Sequence, residues 1–140
     1  MRFWDSSALV TLHVEQAASV QTLSMFQRDP QVAAWTFSDV EMRAAIARLE
    51  RESGITPAVA LEAVSRIETF WKTVHAVTVI DSVKSRAKRL LGVHPLHAAD
   101  ALQLGAALAL TYDEPRGLEF VCLDLRLGEA ARREGFAVVP

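Results

Sequence analysis

Cysteine is nearly absent from this sequence. Cys122 is the only one in 140 residues, which excludes an internal disulfide and a cysteine-rich zinc site and fits a reducing compartment. Charge of one sign is missing too. Fifteen Lys and Arg stand against seventeen Asp and Glu, a net charge of −2, so the field of the whole chain will not gather a polyanion and any nucleic-acid contact must be local. No long apolar run is present either. The richest stretch, Leu96 to Tyr112, is interrupted by Asp100, Gln103 and Gly105 and is too short to span a bilayer. The amino terminus carries an acid at its fifth residue and no long apolar stretch before His13, so no secretory signal is expected. Together these absences lead us to expect a cytoplasmic protein without membrane association. Pro-, Gln- and Ser-rich tracts, linkers and internal repeats are also lacking, as is a basic-aromatic motif of the RNA-recognition type.

What is present is the composition of a folded domain, 51% hydrophobic and 23% charged, and we expect a single domain over residues 1–140 that buries about two thirds of its unfolded surface. Arg2-Phe-Trp-Asp5 reads as a short strand ending on an acid, with Ser6-Ser7 opening a helix. Helical spacing follows at about 15–28, then a short strand at Gln31–Thr36 and a long helix from Ser38 through Glu52, stopped by Gly54. Thr56-Pro57 caps and starts a helix that runs to about His75. Ala76–Ile80 reads as a strand ending on Asp81, 82–91 and 97–112 as helices, Leu118–Leu123 as a buried strand ending on Asp124, 126–134 as a helix and Phe136–Val139 as a last strand. Continuous apolar strands alternating with helices predict an α/β, three-layer fold: a central, mostly parallel sheet of four or five strands with helices on both faces. Ligands in such folds bind beyond the carboxyl ends of the strands, where Asp5, Asp81 and Asp124 stand.

Asp100 is the most informative residue, being the only charged side chain between Pro95 and Tyr112. A carboxylate on so apolar a helix needs a partner or a cation. It also suits the positive end of the helix dipole, or a pairing with His97. Glu41 fits a capping box with Ser38, Asp5 a turn, and Asp124 a cap for the helix near Arg126, so each has a structural explanation by itself. As a set they say more. Two acids that end strands and two early on helices are placed to converge, and mutually repelling carboxylates need a cation to stand together. Oxygen ligands without cysteine favour Mg²⁺, with Mn²⁺ as the alternative, and such an ion activates water and shields a phosphodiester. A zinc site from His94, His97 and Asp100 is disfavoured by Pro95 between the histidines.

Four segments, Asp5-Ser-Ser-Ala-Leu, Ser38-Asp-Val-Glu-Met-Arg-Ala-Ala-Ile, His97-Ala-Ala-Asp-Ala-Leu-Gln-Leu-Gly-Ala-Ala-Leu and Leu123-Asp-Leu-Arg-Leu-Gly-Glu-Ala-Ala-Arg-Arg-Glu-Gly-Phe, run from end to end of the chain. In their order and spacing they resemble a PIN-domain ribonuclease, specifically the VapC-type toxin of toxin-antitoxin pairs. That resemblance implies an RNA substrate, a homodimer and a cognate antitoxin. It also implies that Asp5 and Asp100 are the principal metal ligands, with Glu41 and Asp124 completing a catalytic site of four acids. Asp81 matches no catalytic position. Cys122 stands where many relatives have Thr or Ser, and Arg126 where some have a further acid, which argues against a second tightly held metal. Ser7 and Arg126 are the candidate substrate contacts.

Lys84, Arg86, Lys88 and Arg89 form a basic run that is either a phosphate-binding patch or a solvated helix face. The Ala- and Leu-rich helices at 58–71 and 96–112 either offer surface for a second copy or an antitoxin or simply pack the core. Two other readings compete with this one. A haloacid-type phosphotransfer domain needs a second Asp where this chain has Ser7, and a receiver domain needs a Lys after a late strand, where none of Lys72, Lys84 or Lys88 fits. A catalytically silent PIN-like binding module is the more serious alternative, against which the four intact acids count.

Overall fold

A chain that leaves one strand and pairs in parallel with the next must first cross a face of the sheet, usually as a helix. The computed structural model describes residues 1–140 and follows this logic throughout. Its elements are β1 (Arg2–Trp4), α1 (Ser6–Leu9), a 3-10 turn (Val10–Leu12), α2 (Ser19–Arg28), β2 (Val32–Trp35), α3 (Ser38–Arg51), α4 (Pro57–Trp71), β3 (His75–Val77), α5 (Ile80–Val93), α6 (Ala98–Leu110), β4 (Glu119–Val121), α7 (Leu125–Arg133) and β5 (Ala137–Val139). The five strands pair only in parallel, in the order β3-β2-β1-β4-β5. Strand order therefore reverses between β1 and β4, and a crevice opens there at their carboxyl ends.

Each face of the sheet carries its own core. Trp4, Val32, Ala34 and Val121 pack with α1 to α4 on one side, and Phe3, Ala33, Trp35 and Phe120 pack with α5, α6 and α7 on the other. This double burial is why the strands read as unbroken apolar runs. Phe3 and Phe120, on neighbouring strands, stack at 5.3 Å. Burying each such side chain is worth about 2–3 kcal/mol. Helices α5 and α6 come into close contact at Gly105, where an added Cβ would lie 3.0 Å from the Val83 carbonyl oxygen and 3.3 Å from the Ala87 amide. That approach fixes α6, whose first turn carries Asp100, against the sheet-covering layer.

Several expected boundaries shift for local reasons. β3 ends at Val77 because its sole neighbour, β2, ends at the paired Trp35, leaving residues 78–80 nothing to pair with. Asp81 consequently lies in the first turn of α5, fully exposed and 4.0 Å from Lys84, away from the crevice. α2 begins only at Ser19, whose hydroxyl is engaged by the Gln16 amide and the Thr11 carbonyl. α6 stops at Leu110, before Tyr112 and Asp113 turn to positive φ. The basic run on α5 is largely neutralised: Arg86 pairs with Asp113 and Arg89 with Glu134, each at 2.6 Å, while Lys84 neighbours Asp81. Lys88 is the member of the run that has no acidic partner, and it is exposed. No helix is long and apolar enough to cross a membrane.

Candidate active site

Asp5, Glu41, Asp100 and Asp124 line one cleft of about 680 Å³ at the carboxyl ends of β1 and β4. Asp5 follows β1, and its amide donates to the Val121 carbonyl at 2.9 Å, so the sheet itself sets its position. It caps α1: Oδ2 accepts from the Ser7 amide at 3.0 Å and from the Ser7 hydroxyl. That hydroxyl also accepts from the Leu123 amide at 3.0 Å, tying the exits of β1 and β4 together. Ser7 therefore lines the cleft with its hydroxyl already engaged on both sides.

Glu41 departs from the capping-box expectation. Phe37 is the N-cap of α3 and Ser38 its first residue, so the Ser38 side chain is not in capping position. Glu41 Oε2 instead accepts from the Ser6 hydroxyl at 2.6 Å and from Gln103 Nε2 at 2.9 Å. The same Gln103 nitrogen donates to Ser38 Oγ at 2.9 Å. Asp100 Oδ2 accepts from the His97 backbone amide at 3.3 Å, and Asp124 Oδ1 caps α7 through the Leu127 amide at 2.8 Å. The His97 ring does not pair with Asp100 but with Arg126, at 2.9 Å. Arg126 is exposed and outside the residues lining the cleft.

A common rule emerges. Each of the four acids uses one oxygen to hold the scaffold, and its other oxygen has no protein partner. None of the free oxygens is sealed from solvent. A carboxylate can accept about four hydrogen bonds, so this leaves ample capacity for a cation.

The electrostatics agree with that reading. Asp5 is only 3% exposed, and its pKa is pushed up to about 6 by burial, offset by its bonds to Ser7 and reinforced by the nearby Glu41 and Asp100 charges. A carboxylate in this state is destabilised until a cation joins it. The buried Cys122 thiol, 3.8 Å from Asp5 Oδ2 and 3.4 Å from the Asp124 carbonyl, is pushed far up by burial and by the Asp5 charge, so it stays a neutral donor. No three of the acids, histidines and the cysteine stand close enough to share one coordination sphere directly. The donor set fits a hard ion that retains several waters and takes only one or two carboxylates directly, as Mg²⁺ does.

The chain is 29% identical over 138 residues to Ribonuclease VapC45 of Mycobacterium tuberculosis (strain CDC 1551 / Oshkosh), covering 99% of this chain and 94% of the relative. The same figures hold for Ribonuclease VapC49 of Mycobacterium tuberculosis (strain ATCC 25618 / H37Rv). It is a homologue of the VapC ribonucleases. Among solved structures it resembles FitAcB from Neisseria gonorrhoeae, with a TM-score of 0.69 at 14% identity over 100% of this chain and 97% of the other. A second neighbour, FitAB bound to an IR36 DNA fragment, gives a TM-score of 0.66 at 13% identity over 99% and 94%. Both likenesses are of fold, the PIN fold of FitB. No protein-family model matches the chain.

Three residues of this VapC homologue's site were not singled out by sequence reasoning. Ser6 and Gln103 brace Glu41, and Ser38 receives Gln103. Gln103 left a trace in the sequence as a polar break in an otherwise apolar helix, and it is fully buried. Buried amides need partners, so the break itself was the signal.

Proposed function

We propose that this protein is a metal-dependent endoribonuclease, the toxin of a toxin-antitoxin pair, acting at the cleft of Asp5, Glu41, Asp100 and Asp124. The observation that carries this reading is the convergence of four carboxylates at the strand-order reversal, each with one unpartnered oxygen, in a homologue of VapC ribonucleases. Asp5 and Asp100, with Glu41 and Asp124, would hold Mg²⁺ or Mn²⁺ with those free oxygens, one or two of them directly and the rest through water. A divalent ion bound there supplies an activated water and shields the charge of the scissile phosphodiester. The chain's own part is positional: Ser7 fixes Asp5, Ser6 and Gln103 fix Glu41, and the helix starts at α6 and α7 fix Asp100 and Asp124. Such pre-set geometry spares the reaction the cost of assembling its ligands.

An antitoxin partner is supported by the relatedness to VapC proteins and the structural likeness to FitAB. Apolar side chains left in solvent on α3 and α4, Val40, Val59 and Leu61, the last 73% exposed, suit a second copy or that partner.

Incubation of the purified protein with single-stranded and structured RNAs tests the activity. Cleavage should appear with Mg²⁺ or Mn²⁺, vanish in EDTA, and be abolished by Asp5→Asn or Asp100→Asn in chains that remain folded by circular dichroism. Metal-dependent cleavage that survives both substitutions would remove the site assignment. An RNA-inert wild type that still captures a protein partner would point to the silent binding module.

A further inference from the structure

Both arginines of the α5 run are tied up in ion pairs and none of the run lines the cleft, so the free positive charge that meets the cleft comes from elsewhere. Arg2, Arg43, Arg66, Arg86, Arg89 and Arg133 are each held by an Asp or Glu. Arg48 and Arg51, both exposed, make no ion pair and no side-chain hydrogen bond, and both line the same cleft as the four acids. They lie on α3, the helix that carries Glu41. Arg48 is about 10 Å along the axis from Glu41 and Arg51 about 15 Å. Along this stretch of α3, Ala44, Ala45 and Leu49 present small or apolar side chains to the cleft. The cleft therefore runs from a carboxylate end, where a cation belongs, past a smooth floor to two unpaired guanidinium groups.

We propose that Arg48 and Arg51 form a phosphate-binding track that holds the RNA strand a few nucleotides from the cut, aligning it along α3. The proposal rests on the ribonuclease reading above. A single strand crossing the acids needs an anchor elsewhere, because four carboxylates repel its backbone and one divalent ion offsets only half of their charge. Arginine suits the task, since its planar fork matches phosphate oxygens in pairs and remains charged at every working pH. The two residues also give the track a direction, fixing which side of the scissile bond lies over the apolar floor. Their chemistry recognises phosphate and not base identity, so they set affinity and register rather than sequence preference.

The test uses a fluorescein-labelled single-stranded oligoribonucleotide and the full chain carrying Asp100→Asn to suppress cleavage, in Mg²⁺ buffer over a range of salt. Arg48→Ala and Arg51→Ala should each weaken binding on the order of tenfold at low salt and lower the slope of log Kd against log salt by about 0.7, the value for one phosphate contact on a single strand. The double variant should lose about 1.4. Arg48→Lys and Arg51→Lys should restore the slope, and Arg28→Ala, exposed and outside the cleft, should change nothing. In the chain with all four acids, Arg48→Ala should raise KM with little change in kcat, and melting temperatures should not move. An unchanged salt slope in the double variant of a chain that binds RNA overturns the proposal, as does a loss of affinity for a protein partner but not for RNA. A wild type that neither binds nor cleaves RNA defeats the ribonuclease reading itself.

Discussion

The two sides of the cleft are built differently. On the deep side, Asp5 and Glu41 are braced by side chains: Ser7 holds one, Ser6 and the buried Gln103 hold the other. At the rim, Asp100 and Asp124 are each held by a single backbone amide at a helix start, and Asp124 is exposed. Asp5, almost wholly buried, is costly to the apo fold as a charged group, whereas Asp124 stands exposed at the rim. A cation and a substrate arriving from solvent would meet the rim first and be completed by the deep acids.

The largest effect that would sharpen this contrast is on the chemistry. Asp5→Asn should lower RNA cleavage by about a thousandfold, the several kcal/mol a metal-assisted step can command, in single-turnover assays. The same substitution should do the opposite to stability. Asp5 has its folded pKa raised from 3.8 to about 6, so the native state binds the extra proton between those values and stability falls as pH rises through that window. In metal-free buffer, Asp5→Asn should therefore be more stable than the wild type by up to about 3 kcal/mol at pH 8, with the difference closing below about pH 4. Denaturant melts at the two pH values measure this. An equal response from Asp124→Asn would erase the distinction between deep and rim acids.

Next in size is Gln103→Leu, which removes the donor to Glu41 without opening a large cavity. Metal affinity and cleavage should drop about 10- to 100-fold, because a ligand that loses its brace is no longer pre-set. A variant that loses stability alone would make Gln103 a packing residue. The smallest effect belongs to the rim: Asp124→Ala should cost about 1 kcal/mol through the lost α7 cap, and Asp124→Asn only a few tenths, as read from urea midpoints.

Much of the fold could be read from local pattern. Unbroken apolar strands predicted burial on both faces, and the alternation of elements predicted the parallel sheet with its helical layers. Boundaries slipped where a partner strand rather than local preference decided the end, as at Val77. The site was legible as residue types but not as bonds. Glu41 looked like a capping residue because Ser38 stands three positions before it, yet its partners Ser6 and Gln103 lie 35 and 62 residues away in the chain. For Asp5, Asp100 and Asp124 the capping and metal-binding explanations had looked like alternatives. A carboxylate has two oxygens, and here one caps while the other faces the cleft. The α5 basic run misled for a related reason: Asp113 and Glu134, which neutralise it, are distant in sequence.

The central claim is that the free oxygens of these acids together hold a divalent ion. Isothermal titration of Mn²⁺ or Mg²⁺ into the metal-free protein tests it directly. The wild type should bind one ion per chain, more tightly as pH rises through about 6, and binding should be lost in Asp5→Asn and Asp100→Asn. Undiminished binding in the chain with both acids replaced, or none in the wild type at millimolar ion, would contradict it.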